Sequence, residues 1–116
     1  MAREEPIWEA ERSLWTGGRL AYATHMAPDC LLALSQSSLL DPAEVLDNID
    51  RVPRWRSVAM TGRRAVGGIE TLVLGYRAEA ERDRESYAAL CTSTWRRDGG
   101  MWKLIQHHQT PVPAGG

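Results

Sequence analysis

The sequence predicts an α+β fold with helices packed on one side of a long antiparallel sheet. Segments of helical period crowd the first half of the chain, and alternating, strand-like segments fill the second. Within that second half, Gly67-Gly68, Asp83-Arg84 and Asp98-Gly99-Gly100 fall where a meander would turn. A length of 116 residues, with 43% hydrophobic and 25% charged residues, suits one domain around one core. We expect that domain over 1–111. Residues 112–116 are expected as a flexible tail, because Pro111 and Pro113 interrupt pairing.

Each element has its own warrant. Glu4 to Thr16 reads as a helix, with Ile7, Trp8, Leu14 and Trp15 on one face and Gly17-Gly18 as the stop. Glu4 and Glu5 suit its N-terminal dipole. Glu11 lies on the apolar stripe between Ile7 and Trp15, a position read as the stripe edge with the carboxylate reaching water. Arg19 to Met26 forms a short second helix, closed by Pro28-Asp29. The apolar run Cys30 to Leu34 reads as a buried strand, and Ser35 to Leu40 as a turn with room for a short strand. Asp41-Pro42-Ala43-Glu44 is a capping box with proline at the first helical position. That helix runs to about Ile49 and cannot pass Pro53. Four strands follow: Arg54 to Val66, Ile69 to Arg82, Glu85 to Arg97 and Met101 to Gln109.

Composition narrows the function classes. A formal net charge of −1 gives no overall drive toward nucleic acid or anionic membrane, and neither is expected as a partner. No apolar run reaches spanning length, and the charged N-terminus lacks the core of a secretory signal, so a cytoplasmic setting is expected. Cys30 and Cys91 sit in apolar segments without metal or redox spacing and read as free buried thiols. His107 and His108, as strand neighbours, point to opposite faces and cannot share a metal; no metal site is expected. Phosphate-cradling glycine loops and nucleophile-elbow glycines are absent, so no cofactor is expected and Ser93 is not read as a nucleophile.

Five Trp, three Tyr and no Phe make a set of side chains with apolar bodies and polar tips, able to line a cavity as well as fill a core. In the strand from Ile69, Leu72, Leu74, Tyr76, Ala78 and Ala80 share the apolar face, while Arg77, Glu79 and Glu81 face outward. The strand from Glu85 is partly apolar on both faces, which suggests a second copy against the outer one. The last strand splits into two rows. Trp102, Leu104, Gln106 and His108 form one; Lys103, Ile105, His107 and Gln109 form the other. Periodicity leaves open which row faces inward.

The order of these elements, with the segments ERSLW (Glu11–Trp15), Pro53-Arg54-Trp55, LGYRA (Leu74–Ala78), YAALCTST (Tyr87–Thr94) and Trp102 to Pro111, resembles the nuclear transport factor 2-like superfamily, a cystatin-like fold class. More narrowly, it is similar to the domain-of-unknown-function branch near SnoaL-like and ketosteroid-isomerase-like proteins. The resemblance implies a strongly bent antiparallel sheet forming a cone around the N-terminal helices. It also implies a pocket inside the cone and a homodimer through the outer sheet face. It singles out His107 and Gln109 on one row of the last strand. It implies no one activity, since the superfamily includes isomerases, dehydratases, cyclases, hydrolases and non-catalytic modules.

The candidate pocket residues are Trp15, Tyr22, Trp55, Tyr76, His107 and Gln109. The candidates for chemistry are His107, Tyr76, Asp29 and Glu11: an imidazole titrating near neutrality, a phenol able to donate to an oxyanion, and two acids. Each has a plainer role beside it. His107 can be a hydrogen-bonded structural histidine, Tyr76 a core tyrosine, and Asp29 a turn residue after proline. Three functional readings follow: a homodimer binding a small apolar organic molecule, an isomerase, dehydratase or cyclase working by proton transfer, and a non-catalytic dimerisation or assembly module.

Overall fold

The computed structural model describes residues 4–34, 39–52 and 54–113. Its elements are α1 (Glu5–Thr16), α2 (Gly18–His25), β1 (Met26–Ala33), β2 (Leu39–Leu40), α3 (Pro42–Ile49), β3 (Ser57–Gly67), β4 (Thr71–Arg82), β5 (Glu85–Asp98) and β6 (Met101–Val112). Six strands form one bent, unclosed sheet in the order β2-β1-β6-β5-β4-β3. The β3–β6 meander is antiparallel throughout, and β1 lies parallel to β6. This is the α+β architecture that the split between helical and alternating segments predicts.

Helix α1 lies against the concave face. Its buried residues are Ile7, Trp8, Glu11, Leu14 and Trp15, recurring three and four apart as a core-facing helix requires. Two polar ties fix its height over the sheet. Arg12 Nη1 donates to the Val58 carbonyl at 2.7 Å, and the Trp55 amide donates to the Trp15 carbonyl at 3.2 Å. The capping box of α3 is present: Glu44 N donates to Asp41 Oδ1 at 2.8 Å, and Asp41 N to Glu44 Oε1 at 2.9 Å.

The boundaries of β1 and β6 differ from expectation. β1 begins at Met26, where the backbone turns extended directly after α2 (φ −72°, ψ 134°). Its pairing with β6 shifts between Met26 and Leu31, which leaves room for Pro28 inside a strand. β6 continues through Pro111, which faces Ala89, to Val112, which faces Ala88, so the start of the expected tail is still paired. Pro53, most of the Ser35–Leu40 turn and residues 114–116 lie outside the described residues.

Register across the meander places the inward side chains in rows. Leu72, Trp95 and Leu104 form one; Leu74, Ser93 and His107 the next; Tyr76, Cys91 and Gln109 the third. The pairing shifts between Thr94 and Trp95, because Thr94 faces Gln106 while Trp95 faces Leu104. Ile105 is thus an extra residue in a β-bulge. It resolves the two rows of the last strand by mixing them. Leu104 faces inward before the bulge, and His107 and Gln109 after it, while His108 is exposed.

Candidate functional site: a buried carboxylate beneath an open cleft

Glu11 is fully buried, along with Ser93 and His107, so the stripe-edge expectation for this residue is corrected. It occupies the middle of the inner face of α1, three residues after Trp8 and four before Trp15, and so points into the concave sheet rather than along its edge. A carboxylate there is tolerable only if hydrogen bonds replace its water, and the sheet supplies them. Tyr76 Oη donates to Oε2 at 2.5 Å and Ser93 Oγ to Oε2 at 2.6 Å, while Trp95 Nε1 donates to Oε1 at 2.9 Å. His107 Nδ1 stands 3.3 Å from Oε2. Trp15 Nε1 in turn donates to the Tyr76 oxygen at 3.0 Å. Among the described residues, no buried side-chain nitrogen or oxygen lacks a partner.

The donors assign a direction to the whole network. The single Ser93 hydroxyl proton goes to Glu11, so the 2.6 Å contact between Ser93 Oγ and His107 Nδ1 requires the proton on Nδ1. His107 Nε2 then accepts from Gln109 Nε2 at 3.0 Å, and Gln109 Oε1 accepts from Tyr87 Oη at 3.0 Å. A continuous chain therefore runs from Tyr87 through Gln109, His107 and Ser93 to Glu11. It groups a serine, a histidine and an acid without forming a nucleophile triad. The acid sits on the serine rather than on the far nitrogen of the histidine, and Ser93 is sealed from solvent.

Electrostatics match this geometry. Burial pushes the Glu11 carboxyl up. Hydrogen bonds from His107, Ser93 and Tyr76 outweigh burial and hold it below its ordinary 4.5. Burial, then the Glu11 charge, push Tyr76 far above the usual phenol range, so it remains a donor. Burial and the same charge raise Tyr22. Both thiols are pushed up to about 12, by burial first and then by Asp29 for Cys30 and Glu11 for Cys91.

Above this closed network lies an open cleft of about 810 Å³. Its walls come from the end of α1 and from α2 (Leu14, Trp15, Tyr22), α3 (Val45, Asn48, Ile49) and the segment after it (Arg51, Val52, Arg54, Trp55). The sheet contributes Arg82, Glu85, Ser86, Tyr87 and Gln109. One wall is a stack: Arg82 Cζ lies 4.0 Å over the Trp55 ring, which stacks on Tyr87 with centroids 5.8 Å apart and planes 14° apart. Tyr87 in turn lies 6.1 Å from Trp15.

The sequence-selected residues therefore separate. Trp15, Tyr22, Trp55 and Gln109 line the cleft, whereas Tyr76, His107 and Glu11 meet beneath it. Asp29 joins neither group. Inside an extended strand instead of a turn, it points outward and forms a two-pronged ion pair with Arg96, both contacts at 2.9 Å. Sequence reasoning missed Ser93 as a partner of Glu11, although a lone small polar residue on an inward row was a usable signal. It also missed Tyr87 as a cleft wall. Among the described residues, no group of His, Cys, Asp or Glu is arranged to hold a metal ion. Nor is any helix among them long and apolar enough to cross a membrane.

No protein-family model matches the sequence, and no curated protein matches it. Solved structures do. A Parabacteroides distasonis protein assigned provisionally as a ketosteroid isomerase superposes with a TM-score of 0.81 at 17% identity, covering 93% of this chain and 86% of its own. An NTF2-like protein from Cytophaga hutchinsonii gives 0.80 at 15% identity, over 97% of this chain and 100% of its own. The CaMKII hub of S. rosetta gives 0.77 at 15% identity, over 96% and 95%. At these identities the likeness is one of fold, and it spans almost the whole chain.

Proposed function

We propose that this chain, which has the nuclear transport factor 2-like fold, binds a small, largely apolar organic molecule in the cleft at the cone mouth and does so as a homodimer. The observation that carries the reading is the cleft. Its 810 Å³ lies within the roughly 300–1,000 Å³ common for small-molecule sites. Trp15, Tyr22, Val45, Ile49 and Tyr87 supply apolar wall, and the Gln109 carboxamide supplies a polar floor. The amide is pre-aligned by His107 and Tyr87, so it is held in position before any ligand arrives.

The geometry favours holding over proton transfer. A general base must come within roughly 3 Å of the proton it takes, or act through one water. Glu11 lies beneath the floor with its oxygens occupied by Tyr76, Ser93 and Trp95. Its carboxylate instead locks α1 onto β4 and β5. The homodimer rests on the outer sheet face, where Leu31, Val66, Val73 and Leu90 are exposed on four different strands.

Thermal-shift screening of small aromatic and aliphatic compounds tests the cleft directly. Compounds that bind raise Tm for the wild type, and Ile49→Trp, which fills the cleft from α3, removes the shift. Equal shifts in both proteins, or no binding compound at all, would discard the reading.

A further inference from the structure

The charges of the cleft are unlike those of the molecule. The chain as a whole carries a formal net charge of −1, yet the cleft lining holds three arginines, Arg51, Arg54 and Arg82, against one acid, Glu85. Their arrangement is uneven. Arg82 Nε pairs with Glu85 Oε1 at 2.8 Å and its guanidinium lies flat on Trp55, so that charge is already engaged. Arg51 and Arg54 are exposed, and neither forms an ion pair among the described residues. Arg54 is nonetheless positioned, since its guanidinium lies against Gly18 and Nη1 reaches the Thr16 carbonyl at 3.4 Å. The cleft is thus apolar and aromatic below, with two cations on its rim: Arg51 just beyond α3, and Arg54 against the α1–α2 junction.

From this we infer that the ligand is an amphipathic acid, a hydrocarbon body seated against Trp15, Trp55 and Tyr87 with one carboxylate directed to Arg51 and Arg54. A neutral hydrocarbon would leave both exposed guanidinium groups to water, without a counter-charge beside them. A carboxylate gives them the planar acceptor that their fork of donors matches. The Arg82–Trp55–Tyr87 stack limits the body on one side and favours a flat ring system lying along it. Gln109, at the floor, remains the contact for a polar substituent at the far end of the body.

This inference rests on the cleft being the binding site, and calorimetric titration with a matched pair of probes, naphthoate and its amide naphthamide, separates the two ideas. The acid is expected to bind about fivefold more tightly than the amide, as two rim-exposed charge contacts would produce, and added salt should shrink that preference. The double variant Arg51→Gln/Arg54→Gln should lose the preference for the acid while keeping the wild-type Tm. Equal affinity for both probes in the wild type would overturn the acid specificity and leave the cleft reading standing. Preference for the acid that survives in the double variant would also overturn it, since the charge would then act from elsewhere. If neither probe binds while other neutral compounds do, the acid inference falls alone; if nothing binds, both fall.

Discussion

Glu11 is where the chemistry of single residues is concentrated. Removing the side chain, Glu11→Ala, leaves the Trp95, Tyr76 and Ser93 donors facing an empty buried volume. Denaturant unfolding should show a loss of about 3–5 kcal/mol, the range seen when one member of a buried charged cluster is deleted. Glu11→Gln keeps the volume and isolates the charge. The folded carboxyl titrates below its ordinary 4.5, so its ionisation stabilises the fold above that pH. This contribution is lost as pH falls through the lower, folded value. Other carboxylates are also held low, among them Asp29, Glu85 and Asp98, chiefly by hydrogen bonds from Arg96 or Arg82. The informative quantity is therefore a difference. The stability gap between wild type and Glu11→Gln should be widest above about pH 4.5 and should narrow on acidification. A gap independent of pH would mean that Glu11 acts by shape alone.

At the scale of elements, the junction of α1 and α2 sets where Trp15 and Tyr22 stand over the cleft. Gly17 makes that junction possible through space rather than through backbone freedom, since its φ of −94° is open to any residue. A Cβ there would lie 2.7 Å from the Ser13 carbonyl oxygen and 2.8 Å from the Ala21 Cβ. Because one of these atoms is backbone, the helices themselves would have to part. Gly17→Ala should cost about 1–3 kcal/mol, as overpacking does, measurable as a lower urea midpoint. A neutral result would show that the two helices slide at little expense. The β6 bulge is the other decisive local feature. Without Ile105 as an extra residue, Leu104 and His107 would lie on opposite faces, and the link from Gln109 to Glu11 would not form.

For the whole molecule, the sheet has one face filled by α1, and among the described residues nothing packs on the other. On that other face Leu90 is 53% exposed, in the middle of β5. If that face is the homodimer interface, sedimentation velocity should show a dimer for the wild type. Leu90→Lys should shift it toward monomer with the Tm of the monomeric fold retained, because its side chain takes no part in the core. A wild-type monomer at high concentration would leave the face without a partner copy.

Much of this protein is legible from sequence because it depends on local periodicity and turn chemistry. The apolar stripe of α1, the Asp41–Glu44 capping box and the inward row Leu72 to Ala80 follow from residue order alone. So does the meander closed by Asp98-Gly99-Gly100. Trp15, Tyr22, Trp55 and Gln109 line one cleft, but no local pattern states that these four meet. Three features were decided only by tertiary structure. Glu11 reads as a stripe-edge acid until donors from Tyr76, Ser93 and Trp95, 65 to 84 residues away in sequence, surround it. The facing of His107 depends on a bulge that strict alternation cannot express. The division between a sealed carboxylate and an open cleft depends on how far α1 sinks into the curved sheet. Local sequence determines which faces a helix or strand offers; burial and charge state depend on what the rest of the chain brings against those faces.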